Sequence, residues 1–234
     1  MSSTQSENRH SSMMDGLLRG TADEKAKAIA HVIAVHWKPL YKYLRAQYGT
    51  PHGEARTMIL NYLTKIQHGD FFSRFDPRKS TVREYLRQRL EVFVPTTGAK
   101  KAIDPALSYD FEGAGEEFTS DQLEKNRSAK VYYESEWARH LLTLAVEELN
   151  IRMGQEGKDK DFSLFLKHDL QDRSGSERVT LEDIATELTM PLSDALTSLA
   201  KTRQLFQTIL LDLIKSLTSS EAEFRKEAQA FFRS

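Results

Sequence analysis

The sequence predicts an all-α protein in which a flexible acidic linker joins two helical domains. Apolar residues recur every three or four positions along most of the 234 residues, and no useful stretch alternates apolar with polar residues as a strand would. Between residues 95 and 130 this periodicity fades, while seven acidic residues and three glycines accumulate. The predicted organisation is a disordered tail at 1–20, a helical domain at 21–103, the linker at 104–130, a second helical domain at 131–217 and an amphipathic helix at 218–234.

Three helices are predicted in the first domain. Thr21 and Glu24 have the spacing of a capping box, in which each side chain accepts a hydrogen bond from the backbone N–H of the other, and they open a helix over 21–48. A second helix is predicted over 54–67. Ser80 is expected to cap the third helix, because its hydroxyl can accept a hydrogen bond from an unpaired backbone N–H.

The second half of the chain predicts further helices with apolar faces. Trp37 and Trp137 both occur at helical spacing among apolar residues, so they are expected in the core. In the last helix, Phe224, Ala228 and Phe231 form an apolar stripe that should pack, most simply on the C-terminal domain. The predicted helices of this half cover 133–149, 161–170, 181–188, 192–217 and 220–232.

Positive charge is concentrated between residues 70 and 103, although the whole chain has a net charge of −1. This stretch contains eight Lys or Arg residues and four Asp or Glu residues. Arg83 and Arg87 lie four positions apart on the third helix, with Arg74 and Lys79 nearby. Local positive charge on a helix is typical of phosphate binding, and a merely solvated charged face is the alternative interpretation.

Residues 181–206 have the layout of a helix-turn-helix, in which a short helix, a turn and a second helix follow one another. Ala185 is the small residue that close helix packing requires. An ordinary antiparallel helix pair is the alternative, and it stays open. The polar residues that the second helix offers to DNA are Ser193, Thr197, Ser198, Lys201 and Arg203.

Several classes of protein find no support in the residues. The chain has no cysteine, which excludes disulfides and thiolate metal sites and fits a cytoplasmic protein. No apolar run reaches membrane-spanning length, so no membrane partner is expected. The seven histidines lack metal-ligand spacing, and no phosphate-binding glycine loop or nucleophile elbow occurs. The sequence therefore predicts no catalytic residue, no metal and no cofactor.

In this order, the elements resemble an extracytoplasmic-function (ECF) sigma factor of bacterial RNA polymerase, of the branch found among planctomycetes. The resemblance implies two helical domains joined by a flexible linker, with core RNA polymerase and promoter DNA as partners; an inhibitory protein partner is left open. The similar segments are 37–49, 53–56, 70–86, 132–149 and 180–206.

The resemblance also implies roles for particular residues. The first domain would bind the polymerase clamp and the melted downstream promoter element, and the second would bind the upstream element through its helix-turn-helix. Lys201 and Arg203 would hold phosphates there. The residues implied at the polymerase are Glu54, Arg56, Asn61 and Tyr62, and those implied near the melted DNA are Arg74, Lys79, Arg83, Arg87, Lys100 and Lys101.

The chain departs from the family pattern at its contact positions. Residues 57–60 replace the polar run that the family carries at the clamp, and Pro95 interrupts the arginine-rich continuation of the third helix. Thr189 stands at the glycine of the helix-turn-helix turn. These departures support a second hypothesis, a degenerate sigma-fold protein that acts as a protein-interaction or regulatory module with little DNA binding.

Overall fold

The computed structural model describes residues 13–68, 70–97, 109–120, 128–170 and 180–232, and these residues contain helices and turns but no strand. The predicted all-α fold is therefore confirmed. A 3-10 turn lies at Phe71–Arg74, before the third predicted helix, and a π-helical turn lies at Leu166–Leu170. The helices are α1 (13–19), α2 (Ala22–Tyr48), α3 (His52–Gln67), α4 (Val82–Thr97), α5 (Phe111–Ser120), α6 (Ala129–Gln155), α7 (Asp159–Phe165), α8 (Leu181–Glu187), α9 (Leu192–Ser216) and α10 (Glu221–Phe231).

The capping box predicted for α2 is confirmed. The backbone N–H of Thr21 donates to the Glu24 carboxylate at 2.8 Å, and the Glu24 N–H donates to the Thr21 hydroxyl at 3.4 Å. At the other end Gly49 adopts the left-handed conformation, with φ 63°, and its N–H donates to the Arg45 carbonyl. Both ends of this long helix are therefore set by local sequence.

The cap predicted for α4 is off by one residue. Thr81, not Ser80, makes the reciprocal box with Glu84: the Glu84 N–H donates to the Thr81 hydroxyl at 3.2 Å, and the Thr81 N–H donates to the Glu84 carboxylate at 3.1 Å. The reason is spacing, since Glu84 lies three residues after Thr81 and can close the box only from there.

The chain forms two compact units. The first comprises Met1–Leu141 with Ile214–Ser234, and the second comprises Leu142–Leu213. The predicted second domain includes residues 131–141 and 214–217, which the structure assigns to the first unit. Because α6 and α9 each pass a unit boundary, both helices contribute residues to both units.

The first unit is built around an aromatic cluster beside α4. The rings of Phe71, Phe72 and Phe75 lie 5.1–6.0 Å from the ring of Tyr85, and all four side chains are buried. Offset and edge-to-face contacts of this kind add stability beyond the burial of apolar area. The cluster fixes the start of α4, which carries the arginines predicted to bind DNA.

Residues 111–120 form helix α5, within the segment predicted as a flexible linker. Of that segment the structure describes 109–120 and 128–130. Trp37 of α2 stacks on Tyr109 with ring centres 4.9 Å apart and meets Phe111 edge-on at 5.1 Å. Phe111 and Ala114 are both buried, so this helix has an apolar face that packs against α2.

Ion pairs also hold α5 to the first unit. Lys42 has a fully buried side chain, and its Nζ lies 2.6 Å from Glu136 and 2.9 Å from Glu117. Burial disfavours the charge of Lys42, but the hydrogen bonds to these two carboxylates outweigh it, so the pKa of Lys42 is raised. Lys38 binds the same Glu117 at 2.5 Å. One buried cation thus links α2, α5 and α6.

Gly115 lets α5 approach α2 and α3 closely. A methyl group at this position would lie 2.7 Å from Nδ1 of His52 and 3.3 Å from the Tyr41 hydroxyl. These two groups are themselves hydrogen-bonded at 2.7 Å, so there is no spare room between the helices. A side chain at 115 would therefore displace this contact.

Two histidines are buried in the first unit and are uncharged at neutral pH. Burial lowers the pKa of His36 to about 3 and that of His140 to about 4, although hydrogen bonds to the carbonyls of Val32 and Ala34 oppose the shift. The second ring nitrogen of each is buried with no hydrogen-bond partner among the described residues. Neither site can therefore accommodate a protonated ring at low cost.

Candidate nucleic-acid interface

Arg83, predicted to contact DNA, is an interior residue. It is 7% exposed, and its guanidinium carbon lies 4.1 Å from the centre of the Trp137 ring. Nη1 binds the carboxylate of Glu134, and Nη2 lies 3.1 Å from Oε2 of Glu227 on α10. Because two carboxylates and an aromatic face surround the cation, it is not available at the surface of this structure.

Arg87, the second arginine of the predicted DNA-binding face, is also largely buried. Its guanidinium binds Glu91 one turn further along α4 and lies 5.9 Å from the ring centre of Tyr43. The Tyr43 hydroxyl donates to the same carboxylate. Arg87 therefore contributes to the packing of α4 on α2, and little of its charge faces solvent.

One group of exposed positive charges in the first unit lies at the turn before α4. The side chains of Arg78 and Lys79 are 89% and 83% exposed, and Arg74 is also exposed. Asp76 pairs with Arg78 at 3.0 Å, and this hydrogen bonding lowers the pKa of Asp76. We call Arg74, Arg78 and Lys79 the basic turn; the side chains of all three are accessible from solvent.

The second unit contains the predicted helix-turn-helix segment as α8, a turn and α9. Thr180 caps α8 by a reciprocal box with Asp183, whose pKa is lowered by the hydrogen bonds from Thr180. Ala185 is 2% exposed, and α8 packs against the π-helical turn at Leu166–Leu170. Thr189 has φ 56°, and among the described residues it is the only non-glycine with a positive φ. The turn thus needs a left-handed residue, the conformation that glycine adopts most easily.

The N-terminal part of α9 presents the predicted polar residues unevenly. Ser193, Thr197 and Lys201 are exposed, whereas Ser198 is half-buried and its Oγ has no partner within the described ranges. Thr197, Ser198 and Lys201 line a cavity of about 350 Å³ that also includes Lys158. Two lysines and two aspartates, Asp161 and Asp194, therefore line the same depression in the second unit.

Arg203, predicted to hold a phosphate, is paired within the second unit. Its Nε and Nη2 donate to the two carboxylate oxygens of Asp169 at 2.7 and 2.6 Å. This two-point contact lowers the pKa of Asp169. Arg203 therefore fastens α9 to the π-helical turn, and a phosphate would have to compete with a well-placed carboxylate.

The residues expected at the polymerase differ in their surroundings. Glu54 and Arg56 are exposed on α3, and Arg56 lies 3.7 Å from Glu112 of α5. Asn61 is half-buried. Tyr62 is fully buried, and its hydroxyl donates to the Leu86 carbonyl at 2.7 Å, so it is a core residue and not a surface contact.

The predicted contact residues coincide only in part with the exposed cations of the structure. Lys100 and Lys101 lie outside the described residues. Arg78 belongs to the eight cations of residues 70–103 but is not among the predicted DNA contacts. No pattern in the sequence indicates that Lys158 lines the cavity beside α9. Glu227 follows Glu223 by four residues on α10, a spacing that marks one acidic face of that helix but does not identify its partner.

The described residues provide no arrangement for metal binding or membrane crossing. Within the described ranges, no group of three or more His, Asp or Glu side chains is placed to hold a metal ion. None of the helices in the described part of the chain combines the length and the apolar character needed to cross a bilayer.

No protein-family model, no curated protein and no solved structure matches this chain. Function is therefore inferred from the chain's own residues and their geometry.

Proposed function

We propose that this protein is a sigma-like transcription initiation factor without enzymatic activity, which binds core RNA polymerase and directs it to promoter DNA. The observation that carries the proposal is the α8–turn–α9 segment, with Ala185 of α8 buried and Ser193, Thr197 and Lys201 exposed on α9. A helix of this kind can enter the major groove, where hydroxyl groups contact base edges and a lysine contacts phosphate.

The basic turn supports the same proposal in the first unit. Arg74, Arg78 and Lys79 face solvent, and Asp76 pairs with Arg78 and Lys79. Such a turn, fixed by the aromatic cluster behind it, positions phosphate contacts on a rigid support. The exposed Glu54 and Arg56 are the residues of α3 that remain available to the polymerase.

A protein-interaction module with little DNA binding is the second candidate. The burial of Arg83 and Arg87 favours it, because the densest positive region of the sequence is neutralised internally. Leu192 and Leu196 also favour it, since both are exposed at the start of α9, where a DNA-reading helix would carry polar residues.

Two measurements on the full chain separate these candidates. Retention by immobilised core RNA polymerase tests the first interaction. Binding to fluorescein-labelled double-stranded DNA across a salt titration tests the second, and Lys201→Ala should flatten the slope of log K against log salt by about 0.9. Lys160→Ala is the matched control, because Lys160 is exposed on α7 of the same unit and does not line the cavity.

In the first unit, replacing Arg74 and Lys79 together by alanine should flatten that slope by about 1.8, whereas Lys27→Ala, an exposed site on α2, should not. Polymerase binding without DNA binding would select the interaction module. An unchanged salt slope in Lys201→Ala and in the Arg74 and Lys79 double variant would refute these DNA contacts, and failure of the parent chain to bind either partner would refute the sigma-like function.

A further inference from the structure

Helix α10 buries two glutamates in one stripe, which is unusual for a terminal helix. Glu223, Glu227 and Phe231 are spaced four residues apart, and all three are buried. Glutamate is almost never fully buried unless it is paired. Glu223 is paired within its own helix start, where one carboxylate oxygen accepts from the N–H and the hydroxyl of Ser219, each at 2.7 Å.

Glu227 is paired with a residue far away in sequence, Arg83 of α4. Its two oxygens lie 3.2 and 3.1 Å from the same nitrogen, Nη2. Phe231, one turn further along, meets the Trp137 ring edge-on at 6.2 Å, and Trp137 in turn lies under the guanidinium of Arg83. One face of α10 therefore covers the Arg83–Trp137 pair.

The Glu227 carboxylate occupies a position that suits a phosphate. Both are oxyanions, and an arginine nitrogen in this geometry binds either. Nε of Arg83 is also buried, without a hydrogen-bond partner among the described residues, so the guanidinium has donor capacity left. Removal of Glu227 would leave Glu134 on Nη1 and free Nη2 for another oxyanion.

The contact is also electrostatically crowded. Burial raises the pKa of Glu227 although Arg83 opposes the shift, and Glu84 and Glu223 add like charge. A buried ion pair of this kind gains little over separated, hydrated charges, because desolvation offsets the attraction. The docking of α10 on the first unit therefore depends strongly on the apolar contact between Phe231 and Trp137.

We propose that α10 is a releasable cover that withholds Arg83 from nucleic-acid phosphate, so that docking of the C-terminal helix restrains DNA binding by the first unit. The proposal rests on the DNA-binding function proposed above. A purely structural α10, which only completes the core of the first unit, is the competing explanation.

Full-length variants distinguish the two. Phe231→Ala removes the apolar contact without touching a charge, and Glu227→Gln removes the charge while keeping the shape. The control is Gln229→Ala, because Gln229 lies on the same helix and is exposed. Hydrogen exchange of the α10 amides reports release, circular dichroism reports folding, and binding to labelled double-stranded DNA reports function.

Release of α10 should make Arg83 available as one further phosphate contact. In both test variants we expect α10 to lose exchange protection and the salt slope to steepen by about 0.9, which at about 0.1 M salt is roughly eightfold tighter binding. Gln229→Ala should behave as the parent does. Adding Arg83→Gln to Phe231→Ala should abolish the gain.

The outcomes separate failure of the cover from failure of the function. Release of α10 with unchanged affinity and slope means that the helix only completes the core, and it overturns the proposal. A gain in affinity while α10 stays protected, or no change in either measurement, overturns it as well. Absence of DNA binding in the parent and in every folded, released variant refutes the DNA-binding function itself.

Discussion

The buried ammonium group of Lys42 provides a direct test of how the first unit is held together. Lys42→Met keeps the length of the side chain but removes the charge that faces Glu136 and Glu117 at 2.6 and 2.9 Å. Glu136 is 3% exposed, so it would become a buried carboxylate without its main cation. Breaking one side of such a pair costs about 3–5 kcal/mol.

We expect the lower end of that range for Lys42→Met. Arg139 still holds the other oxygen of Glu136 at 2.5 Å, and Glu117 is partly exposed to water. The free energy of unfolding should therefore fall by about 3 kcal/mol. Urea unfolding followed by circular dichroism measures it, since urea, unlike guanidinium chloride, does not screen charges.

Two further variants test whether loss of the buried ion pair causes the destabilisation expected for Lys42→Met. Lys38→Met removes another cation from Glu117, but this pair is more exposed and should contribute at most about 1 kcal/mol. Replacing Lys42 and Glu136 together by Met and Leu removes both buried charges and should restore most of the lost stability. A loss below about 1 kcal/mol for Lys42→Met, or a double variant as unstable as the single one, would refute the reasoning.

Three other predictions follow from single positions. The two buried histidines have folded-state pKa values below the unfolded value, so the stability that each contributes is complete above about pH 6.5 and is lost as the pH falls. For each histidine, the free energy of unfolding should fall by about 2 kcal/mol between about pH 7 and pH 5, as measured by urea unfolding. Gly115→Ala should destabilise by about 1–3 kcal/mol, because the added carbon meets the His52 ring, whereas Gly53→Ala points into open space and should cause no loss in the same assay. Thr189→Gly should stabilise the second unit by about 1 kcal/mol by relieving its positive φ, a change that hydrogen exchange of that unit detects.

Local signals in the sequence predicted helix ends well. The box at Thr21 depends on residues within one turn, so the sequence contains all the information needed. The start of α4 was misplaced by one residue because Ser80 and Thr81 are both good caps, and only the position of Glu84 decides between them. Spacing, rather than residue type, was the stronger signal.

Contacts between distant residues could not be predicted in the same way. Arg83 and Glu227 are 144 positions apart, and nothing near Arg83 in the sequence indicates that a carboxylate will cover it. Helix α5 was missed for a different reason: its glycines and acidic residues are typical of a linker, and its apolar positions are few. Its stability comes from Trp37 and the buried lysine, which belong to another helix.

The two tryptophans give the first unit a pair of separate optical reporters. Trp37 is in ring contact with Phe111 of α5, and Trp137 is in ring contact with Phe231 of α10. Since the chain has only these two indoles, replacing either by phenylalanine leaves a single emitter beside one chosen helix. Stopped-flow fluorescence of the two single-tryptophan chains would then time the detachment of α5 and of α10 independently, and so give the order in which the outer helices leave the core.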